Sequence, residues 1–594
     1  MENYSFLFKI IKIKKEANFE ISNEKLFFKI WRNKYILNEI NYHLRLYNLN
    51  YKKKFENCQI LYEFIYKDYV KDLTLIGIDE NIFNEQFKIP CGILKLSLPN
   101  FNREFNIPNI IPSTVIHLKF GDRFNKLLKP GNIPNSIKYL EFGENFNQPL
   151  TDTGVIPSSV ETIKFGNFNQ ILKKNDIPFG VRSIEFGSHF DKPINNLPWS
   201  ITSIKFGNRY GKPFDATSLP LLLTTISGFS SKEPLKNYNI PSVTYLQFDN
   251  FYSHKLELDT LPNGLLHLDL SNVVASNFSI EKGVLPKTLQ TLKLPFGYSR
   301  TLVSGTLPPD LKTLYCYCDS NFKFEGDDVF PSSITDLRFG NDFSQHLNKG
   351  TLPSNLRYLE LGRCGQPLLN DLLPRKLESL KFVVFNQKIE LNQFPNSLKE
   401  ITFSYDFQQI LDINVLPNQL VKLNLGGYNH SLEKGTIPNS VKILKFESFN
   451  QILKVGDLPN SLTSLEFEKF DHPIQSNVLP VGLKTLIFDD FNSNFEIDSL
   501  PNTLTFLKFN KYKQLIKPGS LPNSIEILNL GYYFNQPLKD IIPSSIISLK
   551  LNNSFFYQEL KDLPNTLLIL YINKIKMDSL LSTIQTKNLI VIKK

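Results

Sequence analysis

Side chains that could carry chemistry are scarce in this 594-residue chain, and their spacing does not suit catalysis. The eight histidines form no HExxH or HxH pattern, so the imidazole pairing that a catalytic zinc needs is missing. No GxxxxGKS/T, GxGxxG or GxSxG string occurs either, which leaves phosphate cradles and nucleophile elbows without support. Of the five cysteines, Cys58, Cys91 and Cys364 stand far apart, while Cys316 and Cys318 form a CxC lacking the second half of a zinc site. That usage suits core packing in a reducing compartment. His267 and Asp269 are two residues apart in an expected strand, so both should lie on its exposed face as a base and its orienter, but no nucleophile accompanies them. Solvated polar residues are the simpler reading. The expectation is a protein that is not an enzyme and holds no cofactor or metal.

The elements that position these residues are set by a repeat. A proline, usually preceded by Leu or Ile, recurs twenty-three times between Pro90 and Pro564, at spacings of 20 to 24 residues. The copy at Pro134 serves as template: Ile133, Pro134, Asn135, Ser136 and Ile137, then Leu140, Phe142 and Gly143, then Phe146, Asn147, Gln148, Pro149 and Leu150. Leu140 and Phe142 are spaced for one buried face of a strand, with Tyr139 and Glu141 toward solvent. Gly143 permits a turn, and Pro149 and Pro157 exclude a regular helix through the rest. Because every strand recurs at one phase, the expected fold class is a repeat solenoid: a continuous parallel β-sheet with extended or 3-10 return segments. At ~4.8 Å per strand, the stack should be roughly 110 Å long. The Phe before each Asn should build an aromatic spine. Asn125, Asn147, Asn169, Asn386, Asn450, Asn492 and Asn535 are expected to turn inward and bond neighbouring turns. Between about 215 and 330 the Phe-Asn pair vanishes and the spacing loosens, which predicts a kink or insertion.

Residues 1–85 carry no copy of the motif. Phe27, Ile30, Trp31, Tyr35, Ile36, Ile40 and Leu44 recur at helical spacing, and a second helical stretch is expected from Gln59 to Val70, giving a small N-terminal helical domain. The solenoid should then occupy 86–573, with a short helix and final strand capping it over 574–594. The formal charge of +10 comes from 67 basic and 57 acidic residues, a weak surplus for this length, so nucleic acid is not an expected partner. The N-terminus is unlike a secretory signal, and no apolar run is long enough to span a membrane, so a cytoplasmic protein without a membrane span is expected.

The strings Phe105-Asn106-Ile107-Pro108, Phe146-Asn147-Gln148-Pro149 and Phe534-Asn535-Gln536-Pro537 resemble the FNIP-repeat family. Its repeats are similar to leucine-rich repeats, with Ile137, Leu140 and Phe142 matching the LxxLxL core. The resemblance implies a leucine-rich-repeat-like solenoid used for protein interaction. Some family members carry an N-terminal segment similar to LFFKIWRNKYILNEI, an F-box-like likeness borne by Trp31, Arg32, Asn33, Lys34 and Tyr35. Two functions follow as expectations: a scaffold or adaptor for an unidentified protein partner, or a substrate receptor of a ubiquitin ligase docked through Trp31, Arg32 and Tyr35. On the exposed face, Lys119, Glu141, Lys164, Glu185 and Lys205 alternate in sign and cancel the field a polyanion would seek. Toward the C-terminus the face turns apolar at Ile443, Ile487, Phe506, Ile527, Ile569 and Tyr571, the expected partner-binding residues.

Overall fold

Each turn is built around its proline. In the template turn the Pro134 carbonyl accepts from the Ile137 amide at 3.1 Å, closing a tight bend that feeds the chain into the strand Tyr139–Glu141. The bond recurs at Pro112, Pro157, Pro178 and on to Pro564. The serine of the motif ties that bend to the turn before it: Ser136 donates its hydroxyl to the Val115 carbonyl at 2.7 Å, Ser159 to Ile137 at 2.9 Å and Ser461 to Val441 at 2.7 Å. Before most of the motif prolines the chain reverses through the left-handed region, as at Gly131 (φ 87°) and Asn392 (φ 67°), which is why Gly, Asn or Asp stands there.

The computed structural model describes His43, Leu46, Tyr47, Asn50, residues 51–77, residues 89–572 and residues 590–593. Short gaps fall at 106–109, 151–153, 213–218, 231–233, 236–239, 275–277, 318–321, 327, 554–555 and 557. Among the described residues, 26 strands form one sheet from Lys52–Phe55 to Ile590–Lys593, and every pairing is parallel. Leu118, Leu140, Ile163, Ile184 and Ile204 align across successive strands as one buried column. The chain is therefore the solenoid its repeat predicts.

The core is a single hydrophobic cluster running from Phe55 to Ile572. Its centre is a double file of rings. Phe120, Phe142, Phe165 and Phe186 stack from the strands at centroid spacings of 5.5, 5.4 and 5.9 Å. Phe124, Phe146, Phe168 and Phe190 stack behind them from the return segments at 5.7, 6.2 and 6.3 Å. Within a turn the two rings are only 4.2 Å apart at Phe120–Phe124 and 4.1 Å at Phe142–Phe146. Gly143 lies between the two rings of its turn, and a Cβ there would sit 2.3 Å from the Gly121 carbonyl carbon, so only glycine lets the bends nest this closely.

Two expectations change. The asparagines do bond neighbouring turns, but from the surface: Asn125, Asn147, Asn386 and Asn450 are exposed, and Asn169, Asn492 and Asn535 half-buried. The Phe takes the inward direction, and the next residue must point out. The sheet also begins at Lys52, earlier than residue 86, and the stretch expected to be helical to Val70 holds only the helix Cys58–Glu63 and a 3-10 turn Lys67–Tyr69 between two strands. The strand pairing of Asp72–Leu75 with Lys95–Leu98 needs no proline motif, because alternation of Leu73 and Leu75 suffices. The irregular middle departs from the repeat as expected while leaving the sheet unbroken. Its departures are a register shift between Leu246 and Phe248, and an extra pair of short strands, Leu302–Val303 with Phe324–Glu325.

Candidate functional site

Alternate residues of each strand face away from the core, so register sets two rows of side chains across the open face of the sheet. Through the middle turns one row runs Tyr245, His267, Thr291, Thr313, Asp336 and Tyr358. The other runs Gln247, Asp269, Lys293, Tyr315, Arg338, Glu360 and Lys381. These turns concentrate tyrosine and cations where the early turns carry mostly Ser, Thr and a simple Lys–Glu alternation.

The cluster is locked by its own contacts. Arg338 holds Asp336 through two bonds, Nε to Oδ1 at 2.9 Å and Nη2 to Oδ2 at 2.8 Å. Its guanidinium carbon lies 5.0 Å from the Tyr315 ring centre and 4.4 Å from that of Tyr358, so two aromatic faces clasp one cation. Tyr358 donates to Glu360 at 3.2 Å, and Glu360 in turn meets Lys381 at 3.3 Å. On the other flank Lys293 reaches Asp269 at 2.9 Å and lies 5.5 Å from the Tyr315 ring centre. Tyr317 stacks on Phe296 at 5.3 Å.

Protonation follows from these neighbours. Hydrogen bonding to Asp269 raises the Lys293 ammonium above its ordinary value despite some burial. Asp336 does the same for Arg338. Burial, reinforced by the Glu360 carboxylate, pushes the Tyr358 phenol up to about 12. At neutral pH Lys293 and Arg338 are therefore cations and the Tyr358 phenol is neutral.

His267 and Asp269 do not share an exposed surface as expected. Asp269 is 3% exposed, and besides Lys293 it accepts from the Ser271 amide at 3.0 Å and hydroxyl at 2.6 Å. The lysine and the Ser271 bend fold over it. The alternating charges of the early strands do pair, Lys119 with Glu141 at 2.7 Å, and Glu185 with Lys205 at 2.8 Å and Lys164 at 3.7 Å.

The six apolar residues expected to bind a partner are distributed unevenly. Phe506 and Ile527 are register partners, and Ile487 lies one strand away in the other row. Ile443 is separated from them by Ser464 and Thr485, Ile569 by Ser548, and Tyr571 stands beside Lys550. Ile443 and Ile527 are exposed, the other four half-buried. Trp31, Arg32 and Tyr35 lie outside the described residues. Sequence reasoning missed Lys293, Tyr315, Arg338 and Tyr358, although their strand positions could have been aligned as the early charge ladder was.

The FNIP Repeat model matches residues 124–167, 168–208, 321–364, 343–383, 385–427, 428–469, 470–512 and 512–554, more than half of the chain. The chain belongs to the FNIP repeat family. Two FNIP repeat-containing proteins of Dictyostelium discoideum are similar to it, one 37% identical over 107 residues (18% of each chain) and one 30% identical over 175 residues (27% of this chain, 47% of the relative). The chain thus spans less than half the length of either relative. Among solved structures, CroV588, a circular leucine-rich-repeat protein, is 31% identical with a TM-score of 0.65, over 89% of this chain and 85% of that one. TLR13 in complex with ssRNA13 shares the fold at 15% identity and a TM-score of 0.57, over 85% of this chain and 81% of that one. The stretch 209–320, between two runs of FNIP matches, holds Tyr245, Asp269, Lys293 and Tyr315, so half of the cluster sits where the repeat departs from its own consensus. No helix among the described residues is long and apolar enough to cross a membrane.

Proposed function

We propose that this FNIP-repeat protein is a non-enzymatic, cytoplasmic scaffold that binds a protein partner on the open face of its sheet, with Tyr315, Arg338 and Tyr358 as the anchor. The observation that carries the reading is the clasp of one arginine between two tyrosines, already held by Asp336. Tyr and Arg dominate binding energy at protein interfaces, and residues fixed before docking lose less conformational entropy on binding. A long, shallow sheet face also suits a folded partner better than a small substrate. The apolar trio Ile487, Phe506 and Ile527 extends the same face toward the C-terminus and is read as a secondary contact.

Cross-linking mass spectrometry on the purified full chain with its cellular partners tests this reading. The expected result is cross-links concentrated around 293–381, lost together with partner recovery in Tyr315→Ala/Tyr358→Ala, and weakened in Ile487→Asp/Phe506→Asp/Ile527→Asp. Undiminished recovery by a folded Tyr315→Ala/Tyr358→Ala variant sinks it.

A further inference from the structure

A different edge of the solenoid breaks the repeat in a way that packing does not explain. The residue after the motif proline lies four positions before the first paired residue of its strand, and most turns place Asn or Ser there, as at Asn135, Ser158, Asn263, Asn396 and Asn439. Three successive turns replace it with Phe179, Trp199 and Leu221, which precede the aligned strand residues Ser183, Ser203 and Thr225 by the same four positions. These side chains stand out from the surface, 66%, 65% and 76% exposed, and Leu222 beside them is 58% exposed. Phe179 and Trp199 meet edge to face at 6.1 Å.

Among the described residues, the exposed charges of the turn that carries Phe179 are basic. Lys173, Lys174 and Arg182 are exposed on the same turn as Phe179. Asp176, the nearest acid of that turn, is buried and accepts from the Lys173 amide at 2.7 Å. Glu161 on the preceding turn is held by Lys138 at 2.8 Å. Projecting aromatic and aliphatic tips, on a run of turns that also exposes Lys173, Lys174 and Arg182, complement a surface that is apolar within and anionic at its skin. Trp and Phe favour the headgroup boundary, and basic residues add attraction to acidic lipids.

We propose that the ridge of Phe179, Trp199 and Leu221 is a peripheral docking site for an anionic lipid bilayer. The apolar tips enter the headgroup layer while Lys173, Lys174 and Arg182 contact lipid phosphates and carboxylates, two weak signals acting together. Because this ridge and the open sheet face use different residues, a bound protein partner and a bilayer do not compete for the same side chains.

The test is sedimentation of the full chain with phosphatidylcholine vesicles, with and without phosphatidylserine. The expected result is phosphatidylserine-dependent binding that weakens in high salt. Lys173→Glu/Lys174→Glu should lower the partition coefficient by roughly fivefold or more for each residue. Phe179→Asn/Trp199→Ser/Leu221→Asn installs the residue types other turns carry, so it should fold normally yet lose at least about tenfold in binding. In a Trp31→Phe background, where Trp199 is the remaining tryptophan, its emission should shift to the blue with phosphatidylserine vesicles. Failure of the unaltered chain to sediment with phosphatidylserine vesicles overturns the proposal, as does equal binding to neutral vesicles. Wild-type binding by the triple variant does so too, and loss of a protein partner from that variant without loss of vesicle binding would reassign the ridge to protein recognition.

Discussion

Lys293 keeps its proton despite partial burial because Asp269 lies 2.9 Å away, and Asp269, 3% exposed, has no comparable cation to fall back on. Asp269→Ala should therefore cost about 1–3 kcal/mol in urea unfolding, leaving Lys293 without its acceptor and the Ser271 bend without its anchor. Tyrosine ionisation gives a second check. The folded state holds Tyr358 and Tyr428 neutral up to about 12, against an ordinary value near 10. Burial comes first as the cause at both. A raised phenol favours the fold fully below pH ~10, and that contribution fades as pH climbs toward ~12. Tyr405 moves the other way, because Lys469 hydrogen-bonds to its oxygen and favours the phenolate. Phenolate absorbance on raising the pH should show an early component removed by Tyr405→Phe and late ones removed by Tyr358→Phe and Tyr428→Phe. A uniform titration of all tyrosines would contradict both assignments.

At the scale of the turn, each letter of the motif has a measurable bond. Asn147 donates its amide to the Asn125 side chain at 3.0 Å and offers its own side chain to the Asn169 amide at 2.8 Å. Gln148 bridges back to Asn125 at 3.0 Å. Asn147→Ala should loosen the 168–190 turn by about 1 kcal/mol, since the Asn169 amide and the Gln170 side chain lose an acceptor at a site where water can replace it. Phe146→Ala is harsher. It removes the ring between Phe124 and Phe168, and a core Phe-to-Ala change costs ~3–5 kcal/mol. Hydrogen exchange should report that loss in the two adjoining turns and spare distant ones, because each turn touches only its neighbours. The strand, its phase and the ring file were legible from Leu140, Phe142 and Phe146 because burial imposes periodicity. The direction of Asn147 was not, since an amide satisfied along the stack looks in sequence like one satisfied inside it. Asp269 was misplaced for a related reason: alternation gives the face of a side chain but not what folds over it.

Over the whole molecule, regularity and specificity occupy different stretches. The ring file fails between Tyr252 and Tyr298, where Leu270, Val273 and Leu294 stand at the ring positions instead. Aromatic pairs add ~0.5–1.5 kcal/mol beyond burial, so these turns should open first. Limited proteolysis in mild denaturant is expected to cleave there before the Phe-rich turns near 146 or 467, and first cuts in those turns would refute it. The cluster at Tyr315, Arg338 and Tyr358 has no period of its own, because its residues occupy strand positions that packing leaves free, and only alignment by register brings them together. The sheet's ladder bonds join turn to turn, along the long axis, so a pull on the two ends loads them in series rather than side by side. Stretched between a membrane and a partner, the molecule is expected to behave as a spring, each turn yielding a little, until the aliphatic turns between Tyr252 and Tyr298 give way as its mechanical fuse.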